Sequence, residues 1–173
     1  LMKKGGEALA LHGGGAPKEP GIRYEVADGQ IRSELLVVEY ALCDVAEGDG
    51  GLCVVPGSHK SNFACPSSLA SLEKPGAWLR NVPQKAGSVV IFTEALTHGT
   101  LPWTADHERR ALFYRYTPGY MAFVGRYRED GLEASDGGYP QPSHSEEGDW
   151  SPEERRILEA PYFWQRDDTF PES

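Results

Sequence analysis

Short apolar runs, cut by Gly-, Pro- and Asp-rich breaks, organise the first two-thirds of the chain. Leu9–Ala10–Leu11 is stopped by His12 and three glycines, Gly13 to Gly15. Ile22 to Val26 and Gln30 to Arg32 flank Asp28–Gly29, the pair that favours a tight hairpin. Leu35 to Leu42, dense in β-branched and aromatic residues, predicts a buried strand. Glu47 to Gly51 predicts a turn, and Leu52 to Val55 the returning strand, stopped by Pro56–Gly57. Ser58 to Ala77 is loop-like, with a short helix around Leu69 to Glu73. Trp78 to Val82, Ser88 to Phe92 and Ala111 to Tyr116 predict further strands, and the run beginning at Val89 ends on His98.

Strands outnumber helices and turn signals recur at short intervals, so the pattern predicts a mainly β antiparallel sandwich or barrel. Beyond Pro118 the character changes. Glu129 to Asp149 is rich in Gly, Pro, Ser and acidic residues and predicts an exposed loop. Ser151–Pro152–Glu153–Glu154 carries an N-cap Ser, a Pro at the first helical position and a Glu three residues after the cap. A helix is predicted from there to about Ala160. The expectation is one domain over 1–173, with its core at 9–118 and a loop and helical appendage at 119–173. Leu1–Met2–Lys3–Lys4 reads as the middle of a strand, which suggests a domain shortened at its N-terminal side.

Composition narrows the partners. The net charge of -9 argues against nucleic acid or an anionic membrane, and otherwise reads as solubility. The apolar runs are too short to span a bilayer, and no secretory signal opens the chain, so a cytoplasmic protein is expected. Oligomeric state is not indicated. Cys43, Cys53 and Cys65 have no metal-type spacing; Cys43 and Cys53 could face each other across a hairpin, as thiols in a reducing compartment.

Candidate chemistry centres on two of the five histidines. His12 lies at a strand end beside glycines, where backbone can come close to a ligand. His98 lies at the end of a distant strand. Two imidazoles and a carboxylate on one face suit a first-row divalent metal and leave positions open. His59 is expected to order its loop, and His107 and His144 to be solvated. Asp44 and Asp49 are expected to bond nearby backbone. Trp103 and Tyr40 fit either a pocket wall or a β core.

Three fragments, in order, resemble the phytanoyl-CoA dioxygenase family. Glu47 to Lys60 is similar to its glycine turn, strand and Pro-Gly-Ser-His; Ala86 to Phe92 with His98–Gly99–Thr100 to the strand leading into its distal iron-binding histidine. Arg109–Arg110–Ala111–Leu112 falls where that family places its 2-oxoglutarate-binding arginine. The likeness covers roughly residues 9 to 118. It implies a double-stranded β-helix (a jelly roll, cupin-like) that binds Fe(II) and uses 2-oxoglutarate and O2 to hydroxylate a C–H bond of a small molecule. The distal ligand maps onto His98. The 2-oxoglutarate anchor maps onto Arg109, eleven positions later, or its neighbour Arg110, with Thr100 as a hydroxyl partner. Alternation of strand faces lets only one of the two arginines point inward, and a planar guanidinium grips a carboxylate in bidentate fashion.

The proximal motif departs from the family's His-x-Asp, because Gly14 stands at the carboxylate position after His12. Three explanations are open. Glu94, four residues before His98 and read as sharing its strand face, supplies the oxygen ligand or braces His98; an upstream segment supplies it and demotes His12; or the position is empty, as in related iron halogenases. A non-catalytic jelly-roll binding module that has lost its metal is the alternative from another class. Cupin chemistry without 2-oxoglutarate is disfavoured by Arg109. Acyl-CoA is the family's namesake substrate, but no basic cluster for a CoA phosphate is evident, and a small polar metabolite is equally compatible.

Overall fold

The computed structural model describes residues 1–14, 22–61, 63–72, 76–118, 126–128, 131–133 and 149–154. The chain divides into two compact units, Leu1–Tyr116 and Thr117–Ser173.

Among the described residues, the first unit has two larger antiparallel sheets. One has the order β1 (Leu9–His12), β8 (His98–Leu101), β5 (Gly51–Val54), β6 (Arg80–Asn81). The other runs β7 (Val89–Thr93), β4 (Leu36–Ala41), β9 (Ala111–Tyr116). A separate hairpin joins β2 (Tyr24–Ala27) to β3 (Gln30–Ser33). Its two-residue turn is the predicted Asp28–Gly29, with both φ positive, at 53° and 73°. The arrangement is the expected double-stranded β-helix.

Side-chain alternation assigns the faces. Leu52 of β5 packs with Val37 of β4 and Phe92 of β7, so this cluster lies between the sheets. Cys53, one residue on, turns the other way and packs with Leu11 and Leu79, against Ala70 of the short helix α1 (Ser67–Ala70). Burial raises the Cys53 thiol to about 11. Cys43 instead accepts the Arg110 backbone N–H, so the two cysteines are not a cross-hairpin pair. Trp103 is a core residue, 1% exposed, with its indole N–H on the His107 carbonyl.

Several predicted bounds shift. The 78–82 strand shrinks to Arg80–Asn81, because Ala77 and Trp78 form a turn. Met2 forms one isolated bridge to Arg109 where a strand was expected, since the chain turns at Lys4–Gly5. The apolar run from Val89 to His98 is not one strand. It breaks after Thr93, whose Oγ1 and carbonyl accept the N–H groups of Ala95 and Leu96, and His98 begins the next strand in the opposite sheet.

In the second unit, β10 (Arg126–Arg128) pairs with β11 (Gly131–Glu133). Ser151 and Glu154 cap each other: Glu154 N–H donates to Ser151 Oγ, and Ser151 N–H to Glu154 Oε2. That bond holds the Glu154 carboxyl below its ordinary value. The rest of the predicted 151–160 helix, His144 and most of the 129–149 loop lie outside the described residues.

Candidate metal centre and anion seat

β1 and β8 are adjacent antiparallel strands, and His12 is the Cα partner of His98. Their rings lie 4.3 Å apart between centroids, tilted by 55°. The turn that separates β7 from β8 carries Glu94 back over both rings. Its Oε1 lies 3.9 Å from His12 Nε2 and 3.8 Å from His98 Nε2. Glu94 was read as a strand-face neighbour of His98; the turn, and not strand periodicity, brings it there.

The protonation pattern favours a metal. His12 Nδ1–H donates to Ala10 O at 3.0 Å, and His98 Nδ1–H to Leu96 O at 2.7 Å. Each backbone bond fixes the tautomer that leaves Nε2 with a free lone pair. Burial is the chief cause that holds the His98 pKa below the ordinary value, keeping the ring neutral and ligand-competent. With bonds of about 2.1 Å, ligand atoms around one ion stand about 3.0 Å apart in cis and about 4.2 Å in trans. Both carboxylate–imidazole separations lie between these values, and the ligand atoms of His12, Glu94 and His98, all within 4.8 Å of one another, form a group able to hold a divalent ion.

Gly14 cannot contribute the carboxylate at its own position. Its φ is +68°, and a Cβ there would lie 2.5 Å from Thr97 Oγ1 and 2.8 Å from the Ala95 carbonyl. The Glu94–Thr97 turn therefore occupies the space that a side chain at position 14 would need.

Deeper between the sheets the anion candidates separate. Arg109 is buried, whereas Arg110 is exposed and paired with Glu108. Arg109 lies over Gly51, whose missing side chain makes room for the guanidinium: a Cβ there would sit 3.0 Å from Nε. Thr100 lies two residues beyond His98 on β8, hence on the same face, opposite Leu52.

Sequence reasoning missed two partners. Glu39 on β4 is wholly buried and takes a hydrogen bond from Arg109 Nη2; a lone carboxylate inside the apolar run 35–42 was its signal. Arg115 on β9 places Nε 3.6 Å from Glu94 Oε2; its alternation with Phe113 along β9 was the clue. His59 stacks edge-on against Tyr24, with ring centroids 4.6 Å apart, while Ser58 Oγ accepts the Thr97 N–H and ties that loop to the turn. His107 is tied down rather than free, donating from Nε2 to Asp44 O at 2.9 Å. Asp49 bonds nearby backbone as expected, at Ala46 N; Asp44 instead reaches Ala86 N and Lys85 Nζ, far along the chain.

A family model described as phytanoyl-CoA dioxygenase matches residues 15–111, a span that holds Glu94, His98, Thr100 and Arg109 and begins just after His12. No curated protein matches the chain. Among solved structures, HygX from Streptomyces hygroscopicus with nickel and 2-oxoglutarate bound is similar at 25% identity and a TM-score of 0.61, over 73% of this chain and 55% of that one. HygX with iron bound matches at 26% identity and a TM-score of 0.57, over 73% and 57%. HygX with nickel, 2-oxoglutarate and hygromycin B bound matches at 26% and 0.59, over 73% and 55%. The chain spans just over half the length of these relatives. Among the described residues, no helix is long and apolar enough to cross a membrane.

Proposed function

The chain belongs to the phytanoyl-CoA dioxygenase family, and from that premise we propose that it is an iron(II)- and 2-oxoglutarate-dependent oxygenase acting on a small molecule. The convergence of His12 Nε2, His98 Nε2 and Glu94 Oε1 carries this reading. These three atoms are the metal ligands, with Glu94 standing in for the carboxylate that the family carries two residues after its first histidine. Iron, when bound, supplies oxygen activation coupled to oxidative decarboxylation of 2-oxoglutarate.

The protein's own groups do the rest. The backbone carbonyls of Ala10 and Leu96 hold both imidazoles in one tautomer. Arg115 draws Glu94 Oε2 to one side, which leaves Oε1 turned to the histidines. Arg109, a buried side chain, binds the far carboxylate of 2-oxoglutarate, and Thr100 adds a hydroxyl donor. A small polar substrate is preferred to an acyl-CoA, in keeping with hygromycin B in the HygX complex. We place the protein in the cytoplasm, in keeping with three free thiols.

The halogenase-like and metal-free alternatives both start from Gly14. Glu94 weakens each, because a carboxylate oxygen already lies within 3.9 Å of both Nε2 atoms. The test is succinate formation from 2-oxoglutarate under air with Fe(II). It is expected with the unaltered protein and lost in His98→Ala; no succinate from the metal-loaded protein would refute an oxygenase.

A further inference from the structure

Arg109 and Glu39 form a buried ion pair, with both side chains almost wholly out of solvent. The pair is incompletely satisfied. Among the described residues, Arg109 Nε, Glu39 Oε2 and Gln84 Oε1 are buried atoms without a hydrogen-bond partner. Gln84, on the bridge to Val45, is the other polar group that acts on the Glu39 carboxyl. Three orphaned groups in one buried cluster need a physical reason, because each costs free energy that water would otherwise offset.

Their chemistry is unequal. Arg109 Nε is a donor lacking an acceptor. Glu39 Oε2 and Gln84 Oε1 are acceptors lacking a donor. One carboxylate satisfies the first, and one proton on Glu39 Oε2 turns an unmet acceptor into a donor. Charge leads to the same sum: the resting pair is neutral, and a carboxylate added to it would leave a buried net negative charge unless a proton came with it.

We propose that Glu39 takes up one proton from solvent when the carboxylate of 2-oxoglutarate binds Arg109, so that the co-substrate enters as anion plus proton. This rests on the assignment of Arg109 as the 2-oxoglutarate anchor. Among the described residues, the polar groups that act on Glu39 are Arg109 and Gln84, and its cross-strand partners are Val90 and Phe113, so Arg109 is the charge it answers to. Burial already shifts the Glu39 carboxyl upward from its ordinary value, against the pull of Arg109. Loss of part of that pull to the incoming anion raises it further. Glu39 is thus a positioning residue: it orients Arg109 while the site is empty and surrenders its charge when the site fills.

The test is calorimetric titration of 2-oxoglutarate into the Ni(II)-loaded protein near neutral pH, in two buffers of different ionisation enthalpy. The difference in heats is expected to report uptake of up to about one proton per 2-oxoglutarate bound. The apparent Kd is expected to rise by up to about tenfold per pH unit in the alkaline direction. Glu39→Gln abolishes the uptake and flattens the pH profile, an effect that loss of packing alone would not produce. Equal heats in the two buffers, or uptake unchanged in Glu39→Gln, would overturn the proton coupling and leave the anchor assignment standing. Absence of any 2-oxoglutarate binding would overturn both. Should Glu39→Gln not fold, the unaltered protein still decides by its two heats, and Gln84→Leu, which removes a hydrogen bond that holds the Glu39 carboxyl down, is expected to move the uptake to higher pH.

Discussion

His12 and His98 face each other across β1 and β8 only because the register slips between Leu9 and His12. Leu9 pairs with Thr100, and an unbroken antiparallel register from there would set Leu11 opposite His98. The irregularity substitutes His12 for Leu11 and turns Leu11 to the opposite face, where it packs with Cys53 and Leu79. One extra residue thus decides whether β1 offers the inter-sheet space a ligand or a leucine.

Metal affinity should follow the three-atom cluster. His12→Ala, His98→Ala and Glu94→Ala are each expected to weaken Ni(II) or Fe(II) binding by more than about tenfold, by calorimetry under anaerobic conditions. Arg115→Ala removes the ion pair to Glu94 Oε2, not a ligand atom, and should cost less, about tenfold or below. Full affinity in Glu94→Ala would remove Glu94 from the ligand set.

Restoring the family's carboxylate at position 14 should fail. Gly14→Asp must accept a positive φ and a Cβ crowding Thr97 Oγ1 and the Ala95 carbonyl. A loss of about 2 kcal/mol or more in denaturant unfolding is expected. The double variant Gly14→Asp, Glu94→Ala should not recover the metal affinity lost in Glu94→Ala. Recovery would show that the turn can yield and that the family's usual arrangement remains open to this chain.

The two neighbouring arginines should behave differently. Arg109→Ala is expected to raise the KM for 2-oxoglutarate by about 100-fold, in part recovered by excess co-substrate. It also leaves Glu39 without its counter-charge, so thermal stability should fall as well. Arg110→Ala loses only an exposed pair with Glu108 and should change neither by more than about twofold. Equal KM for the two variants would refute the assignment.

The strands were legible because alternation and turn residues act locally. Asp28–Gly29 can close a two-residue hairpin with no help from the rest of the fold. The residue types of the candidate cluster stand out in the sequence, and its geometry only in part. His98 was read as closing a strand, because 89–98 is a continuous run on paper; the switch of sheet after Thr93 depends on tertiary pairing with β4 and β5. Strand periodicity singles out Glu94, which arrives by a turn. Nothing local singles out Glu39, because a buried carboxylate is explained only by its partner, Arg109, seventy residues away. The register slip that presents His12 leaves no mark in composition or spacing.

Asp44 should make stability depend on acid pH. Its carboxyl is held low chiefly by the Ala86 N–H, helped by Lys85. A carboxyl with a depressed folded-state value contributes stability above its unfolded value, and that contribution disappears as pH falls through the folded one. Asp44→Asn is therefore expected to melt below the unaltered protein at neutral pH. The two melting temperatures should converge as pH drops below the ordinary 3.8. A gap that persists in acid would mean that Asp44 acts through packing.

The central claim is that His12, Glu94 and His98 hold iron beside a bound 2-oxoglutarate. Visible absorption of the protein with Fe(II) and 2-oxoglutarate, kept free of oxygen, tests it most directly. A metal-to-ligand charge-transfer band is expected, absent in His98→Ala and in Glu94→Ala and strongly reduced in Arg109→Ala at limiting 2-oxoglutarate. A folded protein that shows no band at saturating iron and co-substrate, or an unchanged band in His98→Ala, would contradict the account.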